Sequence, residues 1–400
     1  MELTSDYPVW SVFNGLPASF PTLDRDLTCD IAVVGGGITG ALVAFHLANA
    51  GVHTALLDKR DIGTGSTSGS TGLLQYEVDV SLRQLINKIG SKKAIRSYEL
   101  CGEAVRKLRS LIGKLKIDCG HETSPSLFLA RQADEVAELK TEFQLRRKMG
   151  FELEFWTRSE IERHFPFSRP AALFSQLGGQ VDPHRLTHGL LAAGNRRGLQ
   201  TFDRSPVINF KPTHRGIHLT TANGSTVKAQ RAVMACGFES MTHIRGEAGR
   251  LKSTYALISE PVKSLSSWHQ RSLIWETGMP YLYLRTTPDN RIIVGGEDVD
   301  LVSPSRRDRL LSRKTAILIR KFKTLFPDIK LEVAYSWAGT FGETKDGLAY
   351  IGTNRGLPHA YFALGYGGNG ITYSLIAAEI IRDDFLGYRN RDAPIFRFER

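Results

Sequence analysis

The stretch Asp30-Ile-Ala-Val-Val-Gly-Gly-Gly-Ile-Thr-Gly40 decides how this chain is read. Asp30 to Val34 is an apolar run suited to a strand buried on both faces. Gly35, Gly37 and Gly40 follow in the GxGxxG spacing, and Ile38 to Ala50 carries Leu42, Phe45 and Leu47 at helical intervals before a stop at Gly51. Val52 to Asp58 reads as the next strand, which completes a compact βαβ unit. In that context Gly35 permits the tight turn, Gly37 lets a pyrophosphate approach the backbone, and Gly40 lets the helix pack on the strand. The helix N-terminus at Ile38 offers free N–H groups and partial positive charge to phosphates. Asp58, followed by Lys59, closes the second strand, where a carboxylate can accept hydrogen bonds from ribose hydroxyls.

This fingerprint does not by itself separate a nicotinamide from a flavin dinucleotide. The segment beyond it does: Gly63-Thr-Gly-Ser-Thr-Ser-Gly-Ser-Thr-Gly-Leu-Leu-Gln75 is a polar loop of small residues. Gly65, Ser66, Thr67, Gly72 and Leu73 are its candidates for wrapping a cofactor through backbone N–H and hydroxyl donors. A flexible linker has similar composition, but linkers rarely sit between such a unit and the core.

Outward from this centre, residues 1–27 carry Pro8, Pro17 and Pro21 and read as an irregular arm, with Trp10 and Phe13 lying on the main body. Residues 80–165 read as largely helical, with a strand at Leu127 to Ala130. Short alternating stretches dominate 171–300, including a hairpin that turns at Pro288, Asp289 and Asn290. A helix over 305–325, a strand near Leu331 to Tyr335 and a final helix from Ile371 to Phe385 complete the chain. The 305–325 helix holds eight Lys or Arg beside Leu310, Leu311, Leu318, Phe322 and Leu325. That composition suits a solvated basic face over a core stripe, with a membrane-surface helix as the alternative.

Composition narrows the function classes. The formal charge of +11 speaks to encounter and solubility rather than to a reaction. Basic residues are spread rather than interleaved with aromatics on one module, which argues against nucleic-acid binding. No apolar run reaches the roughly 18 residues of a membrane span. Cys29, Cys101, Cys119 and Cys236 lack CxxC spacing, so neither a metal site nor a disulfide framework is expected, and a cytoplasmic setting is the default.

With these residues in place the chain resembles the D-amino-acid oxidase superfamily of FAD-dependent oxidoreductases, which includes glycine oxidase, sarcosine oxidase and related amine oxidases. Three segments carry the likeness: Asp30 to Gln75; Val181-Asp-Pro-His-Arg185 with Val207 and Ala232-Val-Met-Ala-Cys-Gly237; and Trp337 to Ser374. The resemblance implies an α/β chain (α+β overall), in which a Rossmann-type FAD-binding domain interlocks with a mixed-sheet substrate domain. The first would comprise 28–80, 180–250 and 337–390, and the second 81–179 and 251–336. It further implies noncovalent FAD, with Val207 near the adenine, Ala235 and Gly237 near the pyrophosphate, and Gly339 among the cofactor contacts. The loop Gly365-Tyr-Gly-Gly-Asn-Gly-Ile371 reads physically as a glycine turn delivering a helix start. In relatives that end faces the flavin's pyrimidine edge, which would engage Gly367, Gly368, Asn369, Gly370 and Ile371.

The implied chemistry is hydride transfer from a carbon bearing a neutral amine, followed by imine hydrolysis. Pocket candidates are Tyr255, Trp275, Tyr281, Tyr283 and Arg285, the last three alternating on one strand. Cations that hold a substrate carboxylate in relatives are missing at the matching positions, which read Gln75, Phe341 and Thr372. A buried carboxylate without a partner is costly, so a small amine is expected, packed by Phe341 and the tyrosines with Gln75 available for a hydrogen bond. Arg285 is the alternative carboxylate anchor and would restore an amino-acid substrate. The residue matching an oxygen-activating Lys is Ile293, so oxygen is expected to be a mediocre acceptor. A dehydrogenase serving another acceptor, or a protein with a structural FAD, remain the other readings. Nothing in the sequence sets the oligomeric state.

Overall fold

The computed structural model describes residues 4–5, 8–246, 249–280, 282–300 and 303–400. The run singled out above is the strand Leu27–Val34, and it stands at the centre of a parallel sheet. Its neighbours are Thr54–Leu57 on one side and Thr226–Met234 on the other, followed outward by Gln200–Phe202 and Ala360–Leu364. On the far side of Thr226–Met234, Gly216–Thr221 and Val207–Thr213 extend the sheet in antiparallel fashion along its first half, and Ala360–Leu364 with Tyr350–Thr353 flank its second half, while Gln200–Phe202 forms the opposite edge. Connections leave the central strand in both directions, so a crevice opens at its carboxyl end.

The helix Ile38–Asn49 is buried almost throughout, packed between the helices Gly370–Phe385 and Pro183–Asn195. Asp182 caps the last of these by accepting from the N–H groups of His184 and Arg185, with Pro183 preset in the first turn.

The second sheet has eight strands in the order Val333–Glu343, Arg250–Ser259, Ile292–Asp300, Leu282–Thr286, Leu273–Glu276, Ser126–Leu129, Ala171–Ser175 and Glu154–Thr157. Leu273–Glu276 and Ser126–Leu129 run parallel while the other pairs are antiparallel, which makes the sheet mixed as expected. A small sheet of Leu73–Gln75, Gly178–Gln180 and Glu122–Thr123 lies between the two bodies.

The structure moves two of the expected boundaries. The strand Val333–Glu343 pairs along its length with Arg250–Ser259, so residues 337–343 belong to the second sheet and the return crossing comes after Glu343. The helices Leu82–Ile89 and Ser91–Leu115 share one core with Ile38–Asn49 and Gly370–Phe385, because their apolar stripe of Leu85, Ala94, Cys101 and Leu108 faces that body. In the arm, Val9–Asn14 is a short helix rather than irregular chain, and Trp10 packs with Ile258, Ile293 and Trp337. Phe13 stays 39% exposed, its ring edge against Tyr335. The basic helix Pro304–Leu325 buries Leu311, Leu318, Phe322 and Leu325 in the second core, which removes the apolar face a membrane would need. Among the described residues no helix is long and apolar enough to cross a membrane, and no cluster of His, Cys, Asp or Glu could hold a metal.

Candidate active site

A cavity of about 1170 Å³ runs from the carboxyl end of the central parallel strands to the face of the mixed sheet. That exceeds the roughly 300–1,000 Å³ of an ordinary small-molecule pocket. At one end the wall is the glycine turn. Gly35 is held at φ +113°, and a Cβ there would stand 2.5 Å from the Ala235 carbonyl oxygen, so only glycine lets the two loops touch. Thr67 Oγ1 accepts from the Ile38 N–H at 2.9 Å, which ties the small-residue loop to the helix start. Asp58 accepts from the backbone N–H groups of Gly36 at 2.6 Å and Arg60 at 2.7 Å. Burial raises its carboxyl above the ordinary range, and those two donors pull it back. Lys59 pairs with Glu239 at 2.7 Å.

A second helix opens on the same cavity. Thr39 and Ser374, one in each helix, lie 2.8 Å apart through their hydroxyls, so the N-termini of Ile38–Asn49 and Gly370–Phe385 sit side by side. Asn369, just before the second helix, donates to the carbonyl oxygens of Gln75 at 3.2 Å and Glu77 at 2.7 Å. Two positive helix ends and exposed backbone amides make donors matched to a dinucleotide pyrophosphate, and the Asp58 carboxylate is an acceptor for ribose hydroxyls.

The far end of the cavity is formed by the mixed sheet and the segment after Gln75. Tyr283 lies across Gly295, where a Cβ would come within 2.3 Å of its ring. Phe341, opposite Lys252 in register, and the stacked pair Phe128 and Trp275 add aromatic walls. The charged residues of the lining here are mostly acidic, including Glu77, Asp79, Glu135, Glu142 and Asp298, among neutral polar groups such as Gln75, Thr254 and Thr340. Burial holds the Glu77 carboxyl up to about 7 and, with the negative charge of Glu343 and Asp298 nearby, the Asp79 carboxyl up to about 6. Arg146 is the one cation among the described lining residues of this end. Its Nε donates to Glu142 at 2.7 Å and Glu77 stands 3.8 Å from its Nη1, so its charge is already answered.

The family model described as FAD dependent oxidoreductase matches residues 30–383. The chain belongs to the FAD-dependent oxidoreductase family. It is 28% identical over 399 residues to gamma-glutamylputrescine oxidoreductase of Escherichia coli (strain K12), covering 96% of this chain and 90% of that protein. To glycine oxidase of Geobacillus kaustophilus it is 25% identical, over 88% and 92% of the two chains. The crystal structure of that species' glycine oxidase superposes with a TM-score of 0.78 at 22% identity, covering 94% of this chain and 99% of the other, which bears on the fold alone.

In this FAD-dependent oxidoreductase the residues present fit the cofactor. The cavity wall includes Gly35, Gly37, Ile38, Asp58, Lys59, Gly65, Ser66, Thr67, Leu73, Val207, Ala235 and Gly237 at one end, and Gly339, Gly367, Gly368, Asn369, Gly370 and Ile371 toward the other. Gly40 lies behind the wall and serves helix packing, as its place in the motif implies.

Three expectations need correction. Gly72 is not part of the wall: at φ +72° it packs on the Val181 carbonyl oxygen and the Arg285 guanidinium. Arg285 is 1% exposed and its donors are taken, Nε by Thr71 O, Nη1 by Gln180 Oε1 and Thr286 O, and Nη2 by Val181 O. It holds the cofactor loop to its neighbouring strand and does not reach the cavity; burial lowers its pKa to about 10. Tyr255 is core, surrounded by the second apolar cluster. Ile293 packs with Trp10 and Trp337 and is not among the lining residues of the cavity. Tyr281 lies outside the described residues.

The remaining candidates, Trp275, Tyr283, Phe341 and Gln75, do line the cavity, and the buried Gln75 Nε2 has no hydrogen-bond partner among the described residues. Sequence reasoning missed Glu77, Asp79, Asp298 and Arg146. A signal existed for two of them: Gln75, Glu77 and Asp79 alternate directly after a strand and so share one side of the chain.

Proposed function

We propose that the enzyme oxidises the carbon–nitrogen bond of a small amine, and that the amine rather than an amino acid is its substrate. The observation that carries this reading is the charge of the substrate end: carboxylates predominate there, Arg146 is already paired, and Arg285 is walled off. A substrate carboxylate brought into that surrounding would meet like charge without a free cation, while an ammonium would be welcomed. The names of two relatives, one oxidising a glutamylated diamine and one glycine, agree with either class.

FAD bound in the cavity supplies the hydride acceptor. The chain's own part is to bind and orient. Tyr283 and Phe341 enclose the carbon chain, Gln75 Nε2 can donate to a polar group of the substrate, and the aromatic wall of Phe128 and Trp275 excludes water.

Anaerobic bleaching of the flavin tests the reading with matched pairs: butylamine beside norvaline, putrescine beside ornithine, phenethylamine beside phenylalanine. Faster reduction by the amine of a pair is expected. Consistent preference for the acids would sink the amine reading, and Arg146, whose Nη1 has no hydrogen-bond partner, would then be the anchor to examine.

A further inference from the structure

Asp79 reaches from the segment after Leu73–Gln75 across to the glycine loop before the last helix. Its Oδ2 accepts from the Gly368 N–H at 2.7 Å. A Cβ on Gly367 would stand 2.2 Å from Oδ2 and one on Gly368 2.8 Å from Oδ1, so the loop's glycines make the seat for this carboxylate. Gly368 engages one oxygen; Oδ1 accepts from no donor among the described residues, and the side chain lines the cavity.

The charged groups around it do not balance. Asp298 comes from the strand Ile292–Asp300 and Glu343 from Val333–Glu343, while Lys252 from Arg250–Ser259 is the nearby cation and is bonded to Glu343 at 2.7 Å. Tyr283 and Tyr373 face the same group as neutral phenols, both pushed above their ordinary range by burial. Lys314 also bears on Asp298 but is bonded to Glu297 at 3.1 Å, so three carboxylates face lysines that are each already paired, and Asp298 Oδ1 is a buried oxygen with no hydrogen-bond partner among the described residues. Such an arrangement is completed by a small cation, and Tyr283 and Phe341 supply the aromatic faces that cations favour.

We propose that Asp79 receives the ammonium group of the substrate and takes its proton, so that the amine reacts as the free base. An N–H bond of the ammonium breaks with its electron pair left on nitrogen, and an O–H bond forms on Asp79; no oxidant enters this step. The proposal rests on the enzyme's oxidising a carbon–nitrogen bond, and applies to an amine or an amino acid, since both carry the group. A purely structural Asp79 would only fix the Gly367–Gly368 turn.

The test is the pH dependence of anaerobic flavin reduction in the holoenzyme, from pH 5.5 to 10, with whichever of butylamine and norvaline reduces it. In the wild type, reduction per unit substrate concentration should rise with a midpoint near pH 6, the value to which burial raises the Asp79 carboxyl, and level off above it. In Asp79→Asn it should fall roughly 100-fold at pH 7 and recover steadily toward the pKa of the amine itself, because only free base reacts; Asp79→Glu should restore part of the loss. Tetramethylammonium, which has no proton to give, should perturb the flavin spectrum of the wild type and bind about tenfold more weakly to Asp79→Asn. A loss that is the same at every pH, or tetramethylammonium binding unchanged by the substitution, overturns the proposal while leaving the flavoenzyme intact. If Asp79→Asn cannot retain FAD, Asp298→Asn decides: removing the neighbouring like charge should move the acidic limb to lower pH, and an unmoved limb overturns the assignment. Failure of the amine reading appears separately, as norvaline outpacing butylamine in the wild type.

Discussion

The backbone of Gly40 lies against the carbonyl oxygen of Gly35 with no room between them: a Cβ on Gly40 would stand 1.8 Å from that oxygen. The contact sets how closely the first helix approaches the turn that presents its N-terminus to the cofactor. Gly40→Ala must push the helix away, and overpacking of this kind costs about 1–3 kcal/mol. The expected outcome is a lower melting temperature and a protein purified with little flavin, read from the ratio of absorbance at 450 nm to that at 280 nm, the former being roughly the flavin maximum. Full flavin content in the variant would show that the helix position is not decisive.

FAD should be held without a covalent bond. Cys236 is the one cysteine among the described lining residues, its Sγ donates to the Val34 carbonyl at 3.1 Å, and burial pushes its thiol up to about 12. A thiol so protonated is a poor nucleophile. Acid precipitation should release the yellow colour into the supernatant; colour that stays in the pellet contradicts this.

Arg285 should matter for holding the cofactor loop and not for choosing the substrate. In Arg285→Ala the carbonyls of Thr71 and Val181 lose a donor, each at a cost of about 1–3 kcal/mol if left unsatisfied. Melting temperature and FAD content should therefore fall. Among molecules that keep FAD, the preference between butylamine and norvaline should stay within roughly twofold. A selective loss of norvaline turnover would return Arg285 to the role of carboxylate anchor.

Acidification should destabilise the protein through His184, whose ring is fully buried beside Gly63 with neither nitrogen hydrogen-bonded. Burial lowers its folded pKa from 6.5 to about 4. Below pH 6.5 the unfolded chain binds a proton that the folded chain refuses, so this stability is fully present above 6.5 and is lost as pH falls toward 4. Glu77 and Asp79, raised to about 7 and 6, act in the opposite sense over part of that window. A variant comparison separates them: between pH 7 and 5, His184→Phe should lose less melting temperature than the wild type. An identical loss in both would remove His184 from the account.

The sequence by itself determined the dinucleotide end. Its signals are local: an apolar run, glycines at fixed offsets and a helix start lie within Asp30 to Gly40, and backbone sterics over so short a span leave few alternatives. The hairpin at Pro288 to Asn290, the helix over 305–325 and the last helix were legible for the same reason. The substrate end was not, because its character depends on charges from segments far apart in the chain. Tyr283 and Arg285 share a strand face in sequence, yet Tyr283 lines the cavity while Arg285 is drawn beneath the cofactor loop by carbonyls of Thr71 and Val181. Asp79 reads as an ordinary surface acid until tertiary packing brings it to Gly368, a residue 289 positions later, and surrounds it with Asp298 and Glu343. The chain's net charge of +11 says nothing of the substrate end, whose charged lining is mostly acidic. Net charge is a sum over the whole surface, while recognition is set by the few groups that desolvation leaves facing one another.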